Sequence, residues 1–141
     1  MNHSLPTKIL IVAVVKKGDT VLLRKKPDGS PPYKETWYMF GAELIAGEPI
    51  AQTLTTYVQA QTGVVIRDIT PILWDSEVKV DLDGTTKQFI YLDVTCEYAD
   101  GELEITPGIE KLEWVPVTEL ATYDNVPPSV ELFKRLGYIK S

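Results

Sequence analysis

The stretch "GAELIAGEPIAQTLTTYVQAQTGV", Gly41 to Val64, decides how the rest of this chain is read. Ile50, Leu54, Val58 and Gln61 or Thr62 recur at helical spacing. Pro49 suits the first helical position, and Gly63 suits the place just past the last turn. The pattern predicts a helix over Pro49–Thr62. None of its residues is charged, in a chain of 20 acidic and 14 basic residues with a net charge of -6. Thr53, Thr55, Thr56 and Thr62 each lower the intrinsic propensity by up to roughly 0.7 kcal/mol relative to alanine, so packing has to hold this helix together.

On both sides of the helix the apolar period shortens to that of strands. Upstream, Ile9–Val15 and the run "VLLRKK" read as two strands joined at Gly18-Asp19, a hairpin signal. Residues 27–36, "PDGSPPYKET", are dense in proline and glycine and read as a loop. "WYMFGAEL" then reads as a short strand ending at Gly41. Downstream, "VVIRDITPILWDSEVKVDLDG" and "TTKQFIYLDVTCEYADGE" read as long strands around Asp83-Gly84. "LEWVPVTEL" is a further short strand. "PPSVELFKRLGYI" is a terminal helix opened by Pro127 and Pro128, with Val130, Leu132, Phe133 and Leu136 as its apolar stripe. Strands, helix, strands, helix is an α+β order: a mixed sheet with helices packed on its faces.

Composition narrows the function. At 141 residues, 44% of them apolar, the chain suits a single domain over 1–141. No basic cluster exceeds Arg24-Lys25-Lys26, which disfavours a nucleic-acid partner. A small phosphorylated ligand stays compatible with this charge. One cysteine, Cys96, and one histidine, His3, exclude a Cys/His zinc cluster, an internal disulfide and a Ser-His-Asp triad. Cys96 is expected to fill a strand face. The apolar run Ile9–Val15 is too short to span a bilayer and lacks the flanks of a secretory signal, so a cytoplasmic protein without a membrane partner is expected.

The frame itself resembles the Nudix hydrolases, whose signature is a loop–helix–loop of pattern G-x5-E-x7-R-E-U-x-E-E-x-G-U. Ala42 stands at the first glycine, Glu48 at the first glutamate, Val58 at the apolar position, and Gly63-Val64 at the close. "WYMFGAELIAGE" is similar to the approach W-x-x-P-G-G, and residues 110–138 are similar to the usual C-terminal segment. The resemblance implies an α/β/α sandwich, a Mg²⁺ or Mn²⁺ cofactor and a nucleotide-like diphosphate ligand. It also implies substrate contacts at Gly41 and Ala42.

Inside the frame the chemistry is altered. Thr56 replaces the arginine, and Tyr57, Ala60 and Gln61 replace glutamates that would stack on one helical face. Hard divalent cations need such anionic oxygens, and a bound cation would lower the pKa of an attacking water. A phenol, a methyl group and a neutral amide supply neither. Lost or weakened hydrolysis with nucleotide binding retained is the expectation. One alternative is an active hydrolase whose metal site has moved to Glu48 and Glu110, with Glu43 nearby. Another is an interaction or homodimerisation module that uses the neutral helix face.

Several residues carry two readings. Glu48 is a metal ligand and catalytic acid by resemblance, and also a residue favoured ahead of any helix by the macrodipole. Glu110 lies where family members often carry a catalytic acid. Arg24 is suited to a phosphate by its planar fork. Asp124 and Asn125 suit the edge of a purine, and equally a turn before a helix. Trp37, Trp74 and Trp114 stack a base or fill the core, the core reading being ahead. Asp75, Glu77, Asp81 and Asp83 read as a solvated strand face and its turn.

Overall fold

The computed structural model describes residues 5–27 and 33–140. His3 and residues 28–32 of the proline-rich loop lie outside the described residues. Strand β1 (Thr7–Lys17) is the hub of a mixed sheet, because its Val- and Ile-rich run is buried on both faces. It turns at Gly18, where φ is +58°, into β2 (Thr20–Lys25). The two pair only at Lys16–Val21 and Lys17–Thr20. Beyond that they part, and residues 37–43 run between them.

The expected single strand ending at Gly41 is in fact two. β3 (Trp37–Tyr38) bonds to β2, and β4 (Phe40–Glu43) bonds to β1 through Glu43, past the predicted end. Met39 is where the chain changes partner. On the other side β1 runs parallel to β6 (Thr86–Asp100), which carries the long antiparallel β5 (Val65–Val80). β7 (Lys111–Pro116) closes the far edge against β2 and leads into a 3-10 turn over Val117–Thr122.

Side chains alternate between two cores, as strand geometry requires. Ile11, Ala13, Val15, Phe40 and Cys96 face helix α1 (Ile50–Thr62), which presses Leu54 and Val58 onto them. Val14, Val21, Leu23 and Met39 face the opposite way, toward Leu132 and Phe133 of helix α2 (Pro127–Arg135). Among these, each fully buried Val, Ile or Leu side chain contributes roughly 1.5–3 kcal/mol. One helix on each face of a mixed sheet makes the α/β/α sandwich of an α+β protein, as the sequence predicts.

Helix α1 begins one residue later than predicted: Pro49 is extended, with ψ 146°, and stands at the N-cap. Its buried stripe is also rotated. Thr53 takes the inward place, and Ile50 is 40% exposed. Thr53 Oγ1 donates to Glu48 Oε1 at 2.8 Å and accepts from the Ile45 amide at 3.4 Å. Thr62 Oγ1 donates to the Val58 carbonyl and accepts from the Val64 amide. These two threonines therefore fasten the helix at both ends, which offsets their low propensity.

The tryptophans divide. Trp37 is buried, and Trp114 is half-buried edge-on to Tyr98. Trp74 is 80% exposed, so the core reading fails there. It borders an apolar groove with Ile50 and Ala51 at the start of α1, and Val78 and Val80 farther along β5 are exposed as well. Among the described residues no helix is long and apolar enough to cross a membrane.

Candidate functional site

A cavity of about 470 Å³ opens where β2 parts from β1. This is within the range of small-molecule sites. Leu10 and Val12 of β1 and Tyr91 and Asp93 of β6 form its floor, while Leu132 and Arg135 of α2 stand over it. Arg24 reaches it from β2, and Lys26 from the residue just past that strand. Gly41 lines it too, and a Cβ added there would meet nothing within 4 Å, so the missing side chain leaves room to the cavity. Its neighbour Ala42 points the other way and is 1% exposed in the α1 core. The Ala42 side chain is therefore turned away from the cavity.

Arg24 is held from several directions. Its Nε donates to the Met39 carbonyl at 3.2 Å, and its Nη1 donates to Gln61 Oε1 at 3.1 Å. The guanidinium lies over the Phe40 ring at 5.0 Å and the Tyr57 ring at 5.9 Å. Lys26 lies over Tyr38 at 4.5 Å, and its ammonium is shifted below the usual lysine value by burial and by the charge on Arg24. Among the described residues neither cation forms an ion pair.

The positions expected to hold metal do not assemble a site. Thr56 and Ala60 are exposed, and Tyr57 packs against the α1 core. The Glu48 carboxylate accepts from Thr53 at 2.8 Å and from Gln52 at 3.3 Å. Glu110 pairs with Lys25 at 3.1 Å, and Glu43 lies 3.9 Å from Lys8. Among the described residues no group of three or more His, Cys, Asp or Glu could hold a metal ion. The donor set therefore does not fit a Mg²⁺ or Mn²⁺ gripped by protein carboxylates, either at the original positions or around Glu48, Glu43 and Glu110.

Asp124 and Asn125 join the α2 approach to β3. Asp124 Oδ2 accepts from the Thr36 amide at 3.2 Å, and its carbonyl accepts from Trp37 at 3.0 Å. Asn125 is buried, with Nδ2 donating to the Leu120 carbonyl at 2.8 Å. Among the described residues its Oδ1 has no hydrogen-bond partner. Neither residue lines the cavity.

Sequence reasoning missed the cavity floor. Asp93 is half-buried there, and its carboxyl is shifted upward by burial, against the opposing charge of Arg135. Tyr91 donates to Glu77 Oε2 at 2.6 Å, and burial with this bond raises its hydroxyl pKa. One signal was available: Asp93 interrupts the apolar run of β6. Asp75 and Glu77, read as a solvated face, are exposed but also border the cavity. Cys96 lies fully buried on a strand face as expected, its thiol pushed up to about 12 by burial.

No protein-family model and no curated protein matches the chain. Solved structures do. A mutator MutT protein from Bacillus halodurans superposes with a TM-score of 0.73 at 22% identity, over 92% of this chain and 81% of that one. A NUDIX hydrolase from Nitrosomonas europaea gives 0.70 at 18% identity, over 92% and 86%. The NUDIX domain of Shewanella oneidensis NrtR, crystallised with ADP ribose, gives 0.69 at 15% identity, over 96% and 88%. Two helices on a mixed sheet, with the loop–helix–loop frame at Ala42–Val64, thus make the fold of this chain that of the Nudix hydrolases.

Proposed function

We propose that this protein is a single Nudix-fold unit that binds a nucleoside diphosphate derivative and hydrolyses it weakly or not at all. The observation that carries the reading is the neutral α1 face: Tyr57, Ala60 and Gln61 stand where metal-binding acids are expected, and no acid cluster replaces them among the described residues. Binding is supported by the cavity, which offers cations from β2 and acceptors from β5 and β6 on either side of β1. An anionic phosphate suits the first set. The donor-bearing edge of a base suits the second.

A thermal-shift screen of nucleoside triphosphates, ADP-ribose and nucleotide sugars, with and without Mg²⁺ or Mn²⁺, tests binding. A ligand that favours the folded state raises the melting temperature whether or not it is cleaved. Product release is assayed beside it. Robust turnover abolished by Glu48→Gln would overturn the reading in favour of an active hydrolase.

A second reading, self-association, is favoured by one observation. Trp74 is 80% exposed on an apolar groove that also contains Ile50, Ile72 and Leu92. Interface cores are depleted in charge and rich in aromatic residues, and a second copy presenting the same face would cover it. Sedimentation equilibrium decides: a dimer that Trp74→Ser dissociates supports this reading, and a monomer at high concentration removes it.

A further inference from the structure

Two cations at the β2 end of the cavity deepen the binding reading above, on which this inference rests. In a chain of net charge -6, carboxylates lie close to many ammonium groups. Lys8 meets Asp81 at 3.1 Å, Lys25 meets Glu110 at 3.1 Å and Lys87 meets Asp81 at 2.8 Å. Arg24, in β2, and Lys26, one residue past the end of that strand, line the same cavity, and neither has such a partner among the described residues. Two like charges held together in partial burial repel each other, and an anion between them would relieve that repulsion.

The groups that hold Arg24 by hydrogen bond or ring face are neutral. Gln61 and the Met39 carbonyl accept its hydrogen bonds, and Phe40 and Tyr57 offer ring faces. A carboxylate at position 61, at the same 3.1 Å, would orient the guanidinium equally well but cancel its charge. An amide orients it and leaves the charge available. One N–H of Nη1 and both of Nη2 stay unused by the hydrogen bonds described, in a fork that matches phosphate oxygens.

We infer that the diphosphate end of the ligand is held without a divalent cation, by Arg24 and Lys26, with Gln61 as the positioning residue for Arg24. The same substitutions that remove a metal site thereby supply an uncharged mount for a fixed cation. One rigid positive group in the cavity takes over the attractive role of a metal. It has no coordinated water to activate, so it binds without promoting hydrolysis.

The test is calorimetric titration of inorganic pyrophosphate in EDTA. The wild-type protein should bind it, and affinity should fall as salt rises. Arg24→Ala should weaken binding by about tenfold or more, the effect of losing charge-assisted hydrogen bonds. Arg24→Lys, which keeps the charge but loses the fork, guards against a fold defect and should also weaken it. Gln61→Glu is the discriminating variant: it should weaken pyrophosphate binding while the melting temperature stays the same or rises, and Gln61→Ala should weaken it less than Gln61→Glu. A purely structural Gln61 would show no such ordering. Absence of binding in EDTA, binding that appears only with Mg²⁺, or full affinity in both Arg24 variants would each overturn the inference. Those results leave nucleotide binding in the thermal-shift screen to be judged separately.

Discussion

Arg24 Nη1 donates to Gln61 Oε1 across 3.1 Å, so a cation from β2 sits against the last turn of α1, where carboxylates are expected. Acids restored to that face will meet the guanidinium before they meet a metal. The triple substitution Tyr57→Glu, Ala60→Glu and Gln61→Glu is expected to create Mg²⁺ affinity measurable by calorimetry. Adding Arg24→Ala should strengthen it by about tenfold or more, because a competing ion pair is removed. Equal affinity in the two variants would mean that Arg24 does not address those positions.

Gly63 closes α1 in the left-handed region, with φ +81° and its amide donating to the Gln59 carbonyl at 2.8 Å. A Cβ there would come within 2.5 Å of the Glu102 carbonyl oxygen. Gly63→Ala therefore combines backbone strain of about 1–2 kcal/mol with a clash against backbone that cannot swing aside. Gly47 has a similar φ of +88° but open space around it. Chemical denaturation should show Gly63→Ala costing clearly more than Gly47→Ala.

Asp93 sets a pH dependence. Its carboxyl titrates above the ordinary aspartate value, first because of burial, and Asp75 adds to the shift while Arg135 opposes it. The unfolded chain releases this proton first as pH rises. Stability is thus fully present below the unfolded pKa and is lost as pH climbs through the folded one. Asp93→Asn does not titrate. It should melt higher than the wild type at pH 7, with the gap closing only as pH falls below about 4, the ordinary aspartate value, where the wild-type carboxyl becomes protonated in both states. A gap independent of pH would assign the effect to packing instead.

Local chemistry made much of the fold legible. The Gly18 turn, the Pro49 and Gly63 boundaries of α1 and the proline start of α2 are punctuation that the chain carries in its own residues. What failed depends on neighbours. Trp74 falls in a strand pattern, but its burial depends on what packs over β5, and it stays 80% exposed. Ile50 fits a helical stripe, yet Thr53 is drawn inward by Glu48 and the Ile45 amide. The break at Met39 comes from the parting of β1 and β2, which no periodicity records. Within the site, Arg24 was visible as a phosphate-binding candidate, but its partner Gln61 lies 37 residues away and the contact exists only through the sheet. Asp93 read as one more strand residue because cavities form between elements.

On the proposed function, the cavity holds a nucleoside diphosphate derivative that the neutral α1 face does not cleave. Phosphorus NMR of ADP-ribose mixed with the protein and Mg²⁺ tests this most directly. Ligand resonances should be shifted or broadened by binding, with the diphosphate signals intact after prolonged incubation. Rapid conversion of those signals to phosphomonoesters, abolished in Glu48→Gln, would contradict it.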